Sequence, residues 1–369
     1  MTNRNLTNAK KIKNDEFYTQ YQDIQKEVEA YLEYNPDVFR GQTVYANCDD
    51  PYESNFFRYF VLNFNKLGLK KLITTSYKPS PIANTQLSLF GDDKTPKQIK
   101  GRPKITANKF IITEVGDFNQ DGEFDLRDIA EQLKANKNNE WAPLKENGDF
   151  GSTECVELLK QSDIVVTNPP FSLFRDYVKQ LFDYNKKFLI IGSMNAITYK
   201  EIFPLIKDNK MWLGNGFSGG NAYFYTPNVR EFASGVYDPK TGLVKFRNVH
   251  WFTNLDHGRR HQPLPLMTMK ENLKFNKKIQ KNPDSYKKYD NYDAIEVPYT
   301  EAIPSDYDGV MGVPISFLDK YNPDQFEIVG GTANGQVPDN FKIGNFNVYN
   351  NPIIGDKKIY QRILIRHKK

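Results

Sequence analysis

Apolar residues at Ile24, Val28, Tyr31 and Leu32 recur at helical spacing, predicting an amphipathic helix over 20–34. Thr19 with Gln22 resembles a capping box at its start. The apolar run at 43–47 predicts a first buried strand. Phe56, Phe57, Phe60, Val61 and Phe64 then line one face of a second helix. Asp50, Pro51 and Glu53 supply its N-cap, first-turn proline and capping acid, and Gly68 closes it. Residues 71–77 predict a second strand. Strand, helix and strand in this order imply a right-handed parallel crossover. Polar residues rich in Pro, Lys, Asn and Gln interrupt the rhythm at 78–108 and predict a long loop. A strand at 109–115, an acidic loop and a helix at about 127–136 follow. A strand at 163–167, a helix over 172–184 and a strand at 188–192 resume the α/β alternation. Beyond about residue 213 the pattern turns aromatic and β-like, at 222–226, 244–253, 326–329 and 359–365. The expected fold class is α/β. Pro263 and Pro265 suggest a first domain over 1–265, with an insertion at 78–140, and a second region over 266–369.

Composition narrows the class. The 369 residues are 39% hydrophobic and 26% charged, ordinary values for a soluble protein. The apolar runs are too short to span a membrane, and residues 1–13 are polar and basic, so neither a membrane segment nor a signal peptide is expected. Two cysteines, Cys48 and Cys155, argue against a disulfide scaffold and suit a reducing cytoplasm. Net charge is only +5, but basic residues cluster at Arg4, Lys10, Lys11 and Lys13, in seven lysines over 270–288, and at Arg362, Arg366, Lys368 and Lys369. With Phe275, Tyr286 and Tyr289 among them, these stretches suit a polyanion.

The sharpest chemical signal is Asn168-Pro169-Pro170-Phe171, at the end of the strand predicted over 163–167. Two prolines cannot continue a strand, so the chain leaves the sheet at its carboxyl edge, where α/β proteins bind ligands. The tetrapeptide suits methylation of an exocyclic amine on a planar base. Such a nitrogen is a poor nucleophile because its lone pair is delocalised into the ring. Acceptors aimed at its hydrogens draw the lone pair out, and the Asn168 side-chain oxygen and the Pro169 carbonyl are the candidates. Phe171 offers a face for an extruded base.

The first predicted strand ends in Asn47-Cys48-Asp49-Asp50. A carboxylate there, Asp49 or Asp50, suits the ammonium group of S-adenosylmethionine. Phe17-Tyr18-Thr19, ahead of a helix, offers a hydroxyl and backbone N–H groups to that cofactor's carboxylate. Asp149-Phe150 precedes the same sheet edge, with Asp149 as acceptor for an adenine amine and Phe150 as packing for its ring. Thr75, Ser76 and Tyr77 stand where an acid would hold a ribose, and that contact is unassigned.

Together, the segments 14–19, 47–51, 148–150 and 163–175 resemble the EcoRI-type adenine-specific DNA methyltransferases, and 191–200, 249–255 and 313–321 extend the likeness. The resemblance implies a Rossmann-like S-adenosylmethionine-dependent methyltransferase sheet with a β-rich C-terminal target-recognition region. It implies a flipped adenine in double-stranded DNA as substrate and a setting in restriction-modification or host DNA marking, with a cognate restriction endonuclease acting on the same site as a candidate partner that the sequence leaves open. The alternatives are an RNA adenine-N6 or guanine-N2 methyltransferase, which shares the tetrapeptide, and a catalytically inactive DNA-binding subunit.

Three further signals stand apart. Asp117, Asn119, Asp121, Glu123, Asp125 and Asp128 have the spacing of a twelve-residue calcium loop with Gly122 at position 6, the rival being an acidic turn that caps the next helix. Gln86-Leu87-Ser88-Leu89-Phe90 is similar to the motif by which bacterial DNA-processing enzymes bind the replication sliding clamp, the rival being self-docking. Asp256, His257 and His261 have metal-like spacing, but Arg259 and Arg260 favour a nucleic-acid contact loop.

Overall fold

The computed structural model describes residues 17–48, 54–77, 107–118, 120, 122, 124, 125, 128, 129, 131, 132, 138–217, 220–226, 234–333, 336–343 and 351–368. They form two compact units. The first takes the chain up to Ser193 together with Gly216–Leu255, and the second takes Met194–Asn215 and Asp256–Lys369. The division falls at 255/256 rather than at the Pro263–Pro265 pair, and 194–215 joins the second unit.

In the first unit, β1 (Tyr18–Thr19) leads into α1 (Tyr21–Tyr34). Ile24, Val28 and Tyr31 are fully buried on its inner face, as the spacing predicts. Thr19 does not cap it. Gln20 occupies the N-cap, and Thr19 is paired in β1 with Phe224. β2 (Thr43–Ala46) is buried at all four positions. α2 (Asn55–Leu62) is capped by Ser54, whose hydroxyl accepts from the Phe56 and Phe57 N–H groups. The predicted caps Asp50, Pro51 and Glu53 lie outside the described residues. A short α3 (Phe64–Leu67) ends at Gly68 in the left-handed conformation, φ 63°.

β3 (Lys71–Thr75), β4 (Asn108–Ile112), β5 (Asn139–Pro143), α4 (Thr153–Gln161), β6 (Ile164–Thr167), α5 (Phe174–Asp183) and β7 (Lys187–Ser193) follow. β8 (Trp212–Leu213) belongs to the second unit. β9 (Ala222–Tyr225), β10 (Tyr237–Asp238), β11 (Leu243–Phe246) and β12 (Val249–Thr253) complete the first. Its large sheet runs β5-β4-β3-β2-β6-β7-β12. The four central strands β3, β2, β6 and β7 are parallel, with helices between consecutive ones, so the protein is a mixed α/β structure. β4, β5 and β12 join antiparallel. The stretch expected as one strand at 244–253 splits. β11 enters a small antiparallel sheet, β1-β9-β11-β10, while β12 pairs with β7. Gly192 in β7 lets Phe174 close on the sheet, because a Cβ there would sit 2.4 Å from its ring.

The second unit holds a sheet ordered β13 (Ile295–Glu296), β14 (Met311–Pro314), β16 (Arg362–His367) and β15 (Phe326–Gly331). Arg362 is not a free surface cation. It makes a two-pronged contact with the buried Glu296, 2.6 Å and 3.1 Å, which also accepts from the Tyr289 hydroxyl. Arg366 pairs with Glu327 at 2.7 Å. Among the described residues, no helix is long and apolar enough to cross a membrane.

Candidate active site

β2 and β6 are parallel neighbours, with Val44 opposite Ile164 and Tyr45 opposite Val165. Their carboxyl ends therefore present Asn47 and Asn168 at one sheet edge, where ligands of α/β proteins sit. Both side chains are buried. The Asn168 Nδ2 group donates to the Phe17 carbonyl at 2.6 Å. A main-chain oxygen can only accept, so the amide's orientation is set, with Oδ1 turned away from Phe17. Pro169, also buried, follows with a carbonyl and no N–H. Phe171 begins a 3-10 turn ahead of α5 and is half-buried, edge-on to Phe246 with centroids 6.1 Å apart. Phe246 in turn packs edge-on to Phe17 at 4.7 Å. The small sheet thus backs the tetrapeptide. Sequence reasoning missed Phe246 because nothing local marks it.

Asn47 is oriented in the opposite sense. Its Oδ1 accepts from the Tyr177 hydroxyl and lies 3.4 Å from Cys48 Sγ. Among the described residues, its buried Nδ2 has no hydrogen-bond partner, and neither has the buried hydroxyl of Thr19. A buried polar atom without a partner costs about 1–3 kcal/mol, so each of these atoms suits a polar ligand. Tyr177 was also missed. It comes from α5 and is fully buried, with its phenol on Asn47.

Phe150 packs edge-on to Tyr177, centroids 5.0 Å apart, and its carbonyl accepts from Gln180. Asp149 Oδ1 accepts from the Gly151 N–H within a turn. Gly148, at φ 74°, closes on Ser76, where a Cβ would sit 2.0 Å from the carbonyl. The Gly-Asp-Phe loop is thereby pinned to the end of β3. Thr19 in β1 is tied to α2 by the Asn55 amide, 2.7 Å from its carbonyl. Phe17 is thus linked to Asn168 by a hydrogen bond, and Asn47 to Phe150 through Tyr177. Asp49 and Asp50 lie outside the described residues.

The other signals fare differently. Asn119, Asp121 and Glu123 of the calcium-like loop, and Gln86–Phe90, lie outside the described residues. Asp128 is buried, and its two oxygens accept from the Phe118 and Asp125 N–H groups, each at 2.8 Å. Asp117 accepts from Gly122, also at 2.8 Å. These bonds suit the capping-turn reading, and among the described residues no acidic, His or Cys cluster could hold a metal. The contact-loop expectation at 256–261 is corrected. Arg259 pairs with Asp319 at 2.6 Å, and buried Arg260 stacks on Trp212 at 3.9 Å while contacting Asp256 at 3.3 Å. His261 bridges Asp256 and Asp324, and His257 is buried with Nε2 3.0 Å from the Leu213 carbonyl. Their charges are spent inside the second unit.

Residues 5–368 match the family model described as adenine-specific methyltransferase EcoRI. The chain is 43% identical to the Type II methyltransferase M.EcoRI of Escherichia coli over 89% of each sequence. It is 36% identical to M.MpnI of Mycoplasma pneumoniae, over 88% of this chain and 85% of that one. It is 35% identical to M.MgeORF184P of Mycoplasma genitalium over 97% of each. No solved structure matches.

Proposed function

The chain belongs to the EcoRI family of adenine-specific methyltransferases, and from that membership we propose that it methylates N6 of adenine at a fixed site in duplex DNA, with S-adenosylmethionine as donor. The observation that carries the reading is the Asn168–Phe17 bond. It leaves the Asn168 Oδ1 as acceptor beside the Pro169 carbonyl, a pair suited to the two hydrogens of one exocyclic amine. With those hydrogens held by Asn168 and Pro169, the N6 lone pair would be drawn out of conjugation toward the methyl that the donor supplies, and the displaced N6 proton would pass to solvent. The cofactor, when bound, supplies the electrophilic methyl on its sulfonium. Asn47 Nδ2, Thr19 Oγ1 and, by expectation, Asp49 and Asp50 would hold it, with Phe150 and Asp149 on its adenine side.

On this reading the parallel core β3-β2-β6-β7 is a Rossmann-like methyltransferase sheet, and 266–369 serves target recognition. A restriction partner acting on the same site fits the Type II names of the relatives. An RNA amine is the rival substrate. Transfer of labelled methyl to DNA and RNA, offered in parallel, tests the proposal. Label in N6-methyladenine of duplex DNA is expected. Label confined to RNA, or no transfer to adenine, overturns it.

A further inference from the structure

In the second unit, α6 (Met269–Phe275) and α7 (Lys277–Gln280) meet at Asn276 in a short elbow. Each helix buries one residue, Asn272 in α6 and Ile279 in α7. Lys270 and Lys274 lie two residues to either side of Asn272, and Lys277 and Lys281 two residues to either side of Ile279. Lys281 keeps helical dihedrals as the C-cap of α7. At about 3.6 residues per turn, an offset of two residues is a rotation of about 160° from the buried side. All four lysines therefore stand on the outer face, and all four are exposed. Leu273 and Phe275 are exposed as well, at 51% and 60%.

Of the seven lysines over 270–288, the other three are paired: Lys278 with Glu301 at 2.6 Å, Lys287 with Asp284 at 3.5 Å and Lys288 with Asp293 at 2.7 Å. Among the described residues, the four on the outer face have no carboxylate partner. The acids beside α6 serve its N-terminus, where Glu271 accepts from the Thr268 N–H at 2.8 Å and Asp306 from the Met269 N–H at 2.7 Å. Lys270 with Lys274, and Lys277 with Lys281, repeat like charge at a spacing that weakens a helix. Amide side chains brace the elbow against this. Asn272 donates to the Met267 and Thr268 carbonyls at 3.3 Å and 3.2 Å, and Asn276 Oδ1 accepts from the Lys278 N–H at 3.1 Å. Gln280 Nε2 reaches back to the Leu273 and Lys274 carbonyls at 3.3 Å and 2.6 Å. A braced scaffold that keeps an unneutralised face suits an external polyanion.

We propose that the outer face of this elbow is a docking surface for duplex DNA, with Lys270, Lys274, Lys277 and Lys281 on the phosphate backbone and Leu273 and Phe275 against the sugars. This rests on the DNA-methyltransferase reading and assigns backbone contacts to named residues of the second unit. Lysines on phosphates fix a protein's register on the duplex without reading sequence. An anionic membrane is the competing polyanion. It is disfavoured because an interfacial helix needs a broad apolar face, and Leu273 and Phe275 are the large apolar side chains exposed on the elbow.

The test compares unpaired with paired lysines in the full chain. Wild-type enzyme first identifies its methylated sequence by sequencing of modified plasmid, and binding to a duplex of that sequence is titrated across salt concentrations. Lys270→Gln with Lys274→Gln, and Lys277→Gln with Lys281→Gln, should each weaken binding about tenfold and lower the salt slope by about 2. Lys287→Gln with Lys288→Gln removes the same charge from paired positions and should leave both quantities near wild type. Phe275→Ala should weaken binding without changing the slope. Cofactor affinity and melting temperature should stay at the wild-type value throughout. Normal affinity in both elbow variants, or an equal loss in the paired control, overturns the docking surface. So does intact DNA binding beside lost binding to phosphatidylserine vesicles, which would assign the face to a membrane. Should a double variant misfold, Lys270→Gln and Lys277→Gln alone should each lower the slope by about 1, and an unchanged slope in both refutes the surface. Failure of wild type to methylate DNA would instead overturn the underlying function, and the same variants titrated with random-sequence duplex would then decide the elbow's role by itself.

Discussion

The side-chain nitrogen of Asn168 meets the main-chain oxygen of Phe17 at 2.6 Å across 151 residues of sequence. This bond turns a strand-end asparagine into an acceptor with one available orientation. Asn168→Ala should lower turnover on the order of 10²-fold or more while leaving cofactor affinity nearly unchanged, because the acceptor acts on the amine. Single-turnover methylation with calorimetry of cofactor binding checks this. Wild-type turnover in the variant would remove Asn168 from catalysis.

The Tyr177 hydroxyl holds the Asn47 oxygen and so turns the amide nitrogen away from itself. Tyr177→Phe should weaken cofactor binding about three- to tenfold, the scale of one lost hydrogen bond. Asn47→Leu should weaken it further, and one of Asp49→Ala and Asp50→Ala should dominate the acidic contribution. Unchanged affinity across this series would move the cofactor elsewhere.

Glu27 is fully buried on α1. It accepts from the Gly216 N–H at 2.9 Å and the Tyr31 hydroxyl at 3.1 Å. Glu27→Ala strands both donors and should cost about 2–4 kcal/mol of stability. Glu27→Gln, which keeps an acceptor, should cost less. Denaturant melts of the three proteins give the order directly.

Burial pushes the His257 imidazole down to about 4, with its Nε2–H on the Leu213 carbonyl holding the neutral tautomer. In the unfolded chain it titrates near 6.5. Between those values the unfolded state binds a proton that the folded state refuses. Stability therefore falls as pH drops from about 6.5 toward 4, by on the order of 2–3 kcal/mol. Above pH 6.5 this group contributes no slope. His257→Asn should flatten the decline in melts taken from pH 7.5 to 4.5, and an unaltered profile would assign it to other groups.

Asp128 accepts two backbone N–H groups, so its carboxylate already serves the turn's main chain. Chelator should leave the melting temperature unchanged, whereas Asp128→Ala should lower stability by about 1–3 kcal/mol. A chelator-induced drop would restore the calcium reading.

Much of the first unit was legible because it is built from local rules. Helical spacing identified the buried face of α1, and unbroken apolar runs identified β2 and β6, which neighbours cover on both sides. The left-handed Gly68 ended its helix where a glycine was expected. Errors came where tertiary pairing outweighed local propensity. Thr19 carries a capping residue's chemistry but is taken by β1, and 244–253 divides because its halves pair with different sheets. The basic residues at 259–260 and at Arg362 were misjudged because sequence records charge but not its partner.

The sequence by itself determined the chemistry on offer, since an asparagine, two prolines and a phenylalanine at a strand end are covalent facts that travel with the chain. Only the tertiary structure decided which atom of each amide is presented. Asn168 and Asn47 carry the same side chain, yet the Phe17 carbonyl makes one an acceptor and the Tyr177 hydroxyl makes the other a donor. An amide holds both roles until a partner takes one, and these partners, 151 and 130 residues away, are brought to the edge by the parallel sheet and the elements packed on it.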